Sequence, residues 1–281
     1  MGLRRKTILL LLLSSFMSVG WGQCVDGVEV ELWGECYNIE ETIYLDLSNS
    51  GLSGEIPPEI GNLINLESLS LGDNDLTGLI PPEIGNLVNL RYLQLWSNQL
   101  SGGLPIEIYN LINLVELSIP NNQLVGTLSP QIGDLINLRS IYLWENYLYG
   151  SIPSEIGNLH DLEFLHLGWN LMNGQIPSEI GNLTNLRELI LISNSFVGGI
   201  PSEIGNLENL IYLVLGGNNF SGEIPMEIGN LINLVEFNLW GNNFSGEIPD
   251  QITYLENLKR LWIDNNNFTG QIPQNIGNLI N

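Results

Sequence analysis

Positive charge is what this chain has least of. It carries eight Lys and Arg against 31 Asp and Glu, and Arg4, Arg5 and Lys6 fall within the first six positions. Only Arg91, Arg139, Arg187, Lys259 and Arg260 remain for everything that follows. Phosphate backbones and anionic lipid surfaces are held by Lys and Arg that displace counterions, so no nucleic-acid partner is expected. Cysteine is nearly absent too. Cys24 and Cys36 are the only two, too few for a closed structural zinc site, and the two histidines, His160 and His166, lie far from them in sequence. No metal or cofactor is expected. Beyond the N-terminus there is no apolar run approaching the ~20 residues of a spanning helix, so no membrane span is expected within the chain.

The N-terminus has the three parts of a secretory signal: the basic Arg4-Arg5-Lys6, the apolar run Ile8 to Met17, and small residues Ser18, Gly20 and Gly22 suited to cleavage. Residues 1–22 are read as a signal peptide and residues 23–41 as a short N-terminal cap. The destination is secreted, extracellular or cell-surface, an oxidising setting in which Cys24 and Cys36 pair as a disulfide staple. Gln23 stands where lipid modification of Cys24 would need a small residue.

From Thr42 to Asn281 the chain repeats every 24 residues without insertion, giving ten units. Repetition at this length means a stacked solenoid in which no unit is stable alone. In the unit LESLSLGDNDLTGLIPPEIGNLVN, Leu69 and Leu71 have the period of a half-buried strand. The column that begins at Ser50 and continues through Asn74, Asn98, Asn122 and Asn146 supplies amides to a turn shielded from water. Gly54 and its nine equivalents to Gly270 have no exception, which points to positive φ or close approach. The Gly61 column admits Tyr109 and Thr253, so positive φ is not expected there. Pro57, Pro81 and Pro153 fix the entry to a short helical turn over EIGNL.

This pattern, LxxLxLxxNxLxGxIPxxIGNLxN, resembles the plant-type leucine-rich repeat of receptor-like kinase ectodomains, polygalacturonase-inhibiting proteins and secreted microbial proteins. The resemblance implies an α/β fold: a right-handed leucine-rich-repeat solenoid with a parallel β-sheet on the concave face and short helical or 3-10 turns on the convex face. LxGxIP would add a second short strand. Leu32 to Cys36 is similar to the end of the plant N-terminal cap, but the long helix that precedes it there is missing, and no unit loops out an island domain. The chain stops in phase with the repeat, so the last unit is expected to have an uncovered edge.

No catalytic constellation is legible, and the protein is not expected to be an enzyme. Glu59, Glu83, Glu107, Glu155, Glu179, Glu203 and Glu227 recur as a solvated column rather than as acid–base pairs. The informative positions flank the buried strand residues, where the consensus leaves the side chain free. There Tyr92, Trp96, Tyr142, Trp144, Phe164 and His166, with Trp169 at the rim, form an aromatic candidate ligand-binding set. Aromatics also stack along strands for packing alone, yet large exposed apolar surfaces mark interaction sites. The expected function is recognition of a protein, peptide or glycan on the concave face. The alternatives are a structural or surface-active solenoid, adhesive or ice-binding, and an inhibitor of a secreted hydrolase. Asn182, Asn219, Asn243 and Asn267 each open an N-x-[ST] sequence and are candidate N-glycosylation sites.

Overall fold

The computed structural model describes residues 24–278; the proposed signal peptide lies outside them. Each 24-residue unit makes one coil. A three-residue strand is followed by a turn, a second short extended segment and a five-residue 3-10 turn. The ten first strands, from Tyr44–Asp46 to Arg260–Trp262, join in one parallel sheet in sequence order. Pairing is in register, as Ser140↔Phe164 and Phe164↔Glu188 show. Every column of the sequence is therefore a row in space.

Within each strand the middle residue points inward. Leu69, Leu93, Leu117, Ile141, Leu165 and Leu189 are fully buried, while their neighbours alternate to the outer face of the sheet. The strand then meets a turn in which the residue before the Asn column has positive φ, including Asp73, Glu145 and Trp169. The Asn side chain holds that turn. Asn146 accepts the amide of Leu124 at 2.9 Å and donates to the carbonyls of Ile119 at 2.9 Å and Leu143 at 3.2 Å. Each such residue links its own coil to the one before it, so hydrogen bonding and stacking are a single cooperative feature.

The second segment forms a six-stranded ladder ending at Leu171–Met172 and a four-stranded one starting at Val197–Gly198. Backbone bonds from Ser195 to Met172 and from Val197 to Gly174, both 2.8 Å, carry the stack across that break. Gly54 and its equivalents have positive φ, from 72° to 121°. The buried column behind this ladder is Leu or Met up to Met172 and Phe thereafter. Phe196, Phe220, Phe244 and Phe268 stack at centroid spacings of 5.9, 6.0 and 6.3 Å.

Pro57 sits in extended backbone (φ −61°, ψ 133°) immediately before the turn Pro58–Asn62, and the same geometry recurs down the stack. The Gly61 column is a close-approach column without positive φ: a Cβ on Gly61 would lie 2.5 Å from the carbonyl oxygen of Glu83. Tyr109 breaks the column. Its buried ring occupies the space between the third and fourth turns, and its hydroxyl accepts the amide of Ser129 at 3.3 Å. The next unit is the one whose Pro130 is displaced one place along the chain.

At the N-terminal end, Glu29–Leu32 and Glu35–Asn38 form an antiparallel hairpin turning through Trp33 and Gly34, both at positive φ. Val30 and Leu32 are buried in the core. A disulfide joins Cys24 to Cys36 across 5.5 Å between Cα atoms, as the sequence suggested. Among the described residues, no helix is long and apolar enough to cross a membrane.

Candidate functional site

Each sheet strand presents its first and third residues outward, and the position two beyond them continues the same face into the turn. Of the seven aromatic and histidine residues singled out in the sequence, six lie on this face and Trp169 stands beside it in the turn, but they do not form one patch. The strand Glu116–Ser118 contributes no aromatic residue and separates Tyr92 and Trp96 from the others.

Tyr92 lines a polar trough of about 560 Å³ at the edge where the chain enters the strands, with the Arg91 guanidinium 5.7 Å from its ring centroid. Trp96 lies flat over Gly72 of the preceding coil; a Cβ there would fall 2.2 Å from Cε2 of the indole. Its ring is partly buried by that contact. Tyr142 is the hub of a second group. Its ring meets His166 edge-on at 4.9 Å and Phe164 at 6.3 Å. Burial pushes the Tyr142 hydroxyl above its ordinary pKa, reinforced by the surrounding Glu116, Glu188 and Glu163. Burial also holds the His166 imidazole below its ordinary value, against the opposing pull of Glu188, whose Oε2 is 2.8 Å from Nε2. A ring in this state at neutral pH is an uncharged wall.

Trp144, His166 and Trp169 line an open groove of about 540 Å³ whose other wall is Ile190, Ile192 and Val214, with Glu145, Glu236 and Asn238 supplying polar groups. The aliphatic side of this groove was missed in the sequence, where only rings were sought. Its signal was present: Leu189-Ile190-Leu191-Ile192 is an unbroken apolar run where alternation predicts polar residues facing out. Trp169 is 48% exposed and stands at positive φ (52°), a conformation uncommon for a bulky residue. Its amide donates to the Ile192 carbonyl at 2.8 Å, which anchors the turn while the indole remains in solvent. Large rings and β-branched side chains around an open trough can take up an apolar side chain, and the carboxylates at the rim can accept hydrogen bonds from a backbone.

The acceptor asparagines Asn182, Asn219, Asn243 and Asn267 are all exposed and lie off the sheet face, in a 3-10 turn or in the second strands.

Residues 80–198 match the family described as leucine-rich repeat region, and residues 42–63, 65–87, 209–231, 233–255 and 257–279 match the leucine rich repeat. Among solved structures, the chain is similar to the plant peptide hormone receptor RGFR1 in complex with RGF2, at 37% identity and TM-score 0.82, over 83% of this chain and 38% of that one. It thus spans well under half of that receptor's length. A plant ice-binding protein is similar at 28% identity and TM-score 0.71, over 90% of this chain and 78% of that one. A leucine-rich-repeat protein of Leptospira interrogans is similar at 34% identity and TM-score 0.57, over 86% of this chain and 71% of that one. No curated relative matches the chain.

Proposed function

The chain belongs to the leucine-rich-repeat proteins of the plant type, and we propose that it is a non-catalytic extracellular recognition module that binds a peptide or protein segment on its sheet face. The observation that carries this reading is the groove between Trp144, His166 and Trp169 on one side and Ile190, Ile192 and Val214 on the other. An acidic, polar surface has no packing reason to expose such a trough to water. Aromatic anchors in a pocket are also the residues that dominate binding energy at interfaces. The similarity to a peptide hormone receptor in complex with RGF2 supports the ligand class, and the disulfide and leader-like N-terminus support an extracellular setting.

The test is an array of synthetic peptides and glycans probed with the intact protein and with Trp144→Ala. A peptide ligand should lose ~2 kcal/mol or more on removal of an anchor. Unchanged affinity in a Trp144→Ala/Trp169→Ala double variant would reduce these rings to a packing feature, and hits confined to glycans would replace the ligand class.

A surface-active role is the second reading, favoured by a different face. Ile64, Val88, Ile112 and Ile136 form an exposed row in successive coils, from 48% to 61% exposed. Beside them Asn89, Asn113 and Asn137 each donate to a carbonyl of the preceding coil at 2.8 to 3.0 Å, which holds the amides in a regular ladder. Such regularity is what a crystalline surface would read, and one similar structure is that of a plant ice-binding protein. Ice recrystallisation assayed with the intact protein and with Ile112→Glu separates the two readings, since this substitution leaves the sheet face untouched.

A further inference from the structure

All five basic residues among the described residues occupy two adjacent positions of the unit: the first residue of the sheet strand, for Arg260, and the residue before it, for Arg91, Arg139, Arg187 and Lys259. In a chain with 31 acidic residues, random placement would scatter them. Arg91, Arg139 and Arg187 are exposed, and they recur at every second coil along one edge of the sheet face. Arg139 and Asp161 line both troughs on this edge, the one of about 560 Å³ holding Arg91 and the one of about 700 Å³ holding Arg187. The two are therefore one continuous channel.

The three guanidiniums are not equally engaged. Arg187 lies 3.8 Å from Glu163, and Arg91 rests over the Tyr92 ring. Arg139, at the centre, makes no ion pair among the described residues. Beside the arginines runs the column Asn89, Asn113, Asn137, Asn185 and Asn209. Each of these donates Nδ2 to a backbone carbonyl of the preceding coil. That leaves a row of amide oxygens as acceptors, one per coil except where Asp161 takes the place in the column between Asn137 and Asn185.

We infer that this channel binds an extended peptide in polyproline II conformation carrying an acidic side chain at every third residue. The inference rests on the reading of the sheet face as a peptide-recognition surface and names a chemistry for its edge. Hydrogen-bonded strands are ~4.8 Å apart, so arginines two coils apart are separated by ~9.6 Å. A polyproline II helix rises ~9.3 Å in a turn of three residues, which brings every third side chain to the same side. Such a helix has no internal hydrogen bonds, so the free N–H of each acidic residue can meet an Asn oxygen, even where the residues between are proline. Glu67, Asp161 and Glu163 also line the channel, and the whole chain has a formal charge of −23. A dense polyanion such as an oligouronate is repelled by that field; acids spaced to match the arginines meet them one at a time.

Fluorescence anisotropy of a labelled peptide of four Glu-Pro-Pro triplets tests this. The intact protein should bind it, more weakly as salt is raised, and Arg139→Gln should weaken binding about tenfold, the loss of one charge-assisted contact. A peptide of the same composition with its four Glu contiguous, a Lys-Pro-Pro peptide and an oligouronate of similar length should bind markedly less. Leu79→Ala, an exposed side chain on the second ladder that lines neither the channel nor the aromatic groove, should leave the triplet peptide bound. The inference is overturned if the triplet peptide does not bind, if the contiguous peptide or the oligouronate binds as tightly, or if Arg139→Gln has no effect. Sensitivity to Trp144→Ala without sensitivity to Arg139→Gln would overturn it too, while supporting the aromatic groove as the peptide site.

Discussion

Nε2 of His166 lies 2.8 Å from Oε2 of Glu188, between two adjacent strands, with the Tyr142 ring edge-on to the imidazole at 4.9 Å. Burial disfavours the charged imidazole more than Glu188 favours it, so the folded-state pKa is lowered. The unfolded chain has the ordinary value of about 6.5 and takes up the proton first as pH falls. Stability contributed by neutral His166 is therefore present above about pH 6.5 and is lost as pH falls through the folded-state pKa below it. Titration of the imidazole by NMR should show a midpoint below about 6.5; a midpoint at or above it would mean that the ion pair outweighs burial.

Asn146 is buried and serves three backbone carbonyls and one amide across two coils. Asn146→Ala leaves these groups dry and unpaired, at about 1–3 kcal/mol. Chemical denaturation should show a lowered midpoint, while affinity measured below the transition should match the parent. No change in the midpoint would require water or a relaxed turn to replace the amide.

The parts of the fold that were legible in the sequence are those in which one column performs one task in every coil. Leu69 and its equivalents, the Asn74 column and the Gly54 column repeat because parallel pairing at a 24-residue offset places equivalent residues in contact. Tyr109 shows the cost of an exception, since replacing a close-approach Gly by a ring coincides with the displaced Pro130 in the next unit. The positive-φ position before the Asn column was not legible. Asn49, Asp73, Ser97, Asn121, Glu145, Trp169 and Ser193 occupy it as well as Gly217 and Gly241, so composition carries no glycine signal there. The sheet-face site was only half legible because the setting of an outward side chain depends on its neighbour in the preceding coil. Trp96 and Trp144 share a column, but Trp96 follows Gly72 and Trp144 follows Pro120.

The disulfide between Cys24 and Cys36 closes a short loop around the hairpin that covers the first coil. Intact mass with and without reductant should show one bridge, and two thiols alkylated before reduction would contradict it. For a loop of this size the bridge contributes about 3 kcal/mol by constraining the unfolded chain. Replacing both cysteines with Ser should accelerate hydrogen exchange in Glu29–Leu32 first, because a solenoid loosens from the end whose cap is weakened.

Trp96 is where packing and recognition can be told apart. Its indole lies against Gly72, in space that a Cβ would fill, and it does not line the groove of Trp144 and Trp169. Trp96→Ala should cost ~1–2 kcal/mol of stability, less than a fully buried ring, and leave binding in that groove unchanged. Gly72→Ala should also destabilise, by displacing the ring. If the contact is the cause, the two costs are not additive: once Trp96 is Ala, a methyl at position 72 meets open space and the penalty for Gly72→Ala should vanish. Thermal denaturation of the four proteins in this cycle measures the coupling. Additive costs would show that Gly72 is required by its own backbone, and loss of ligand affinity in Trp96→Ala alone would return this ring to the binding surface.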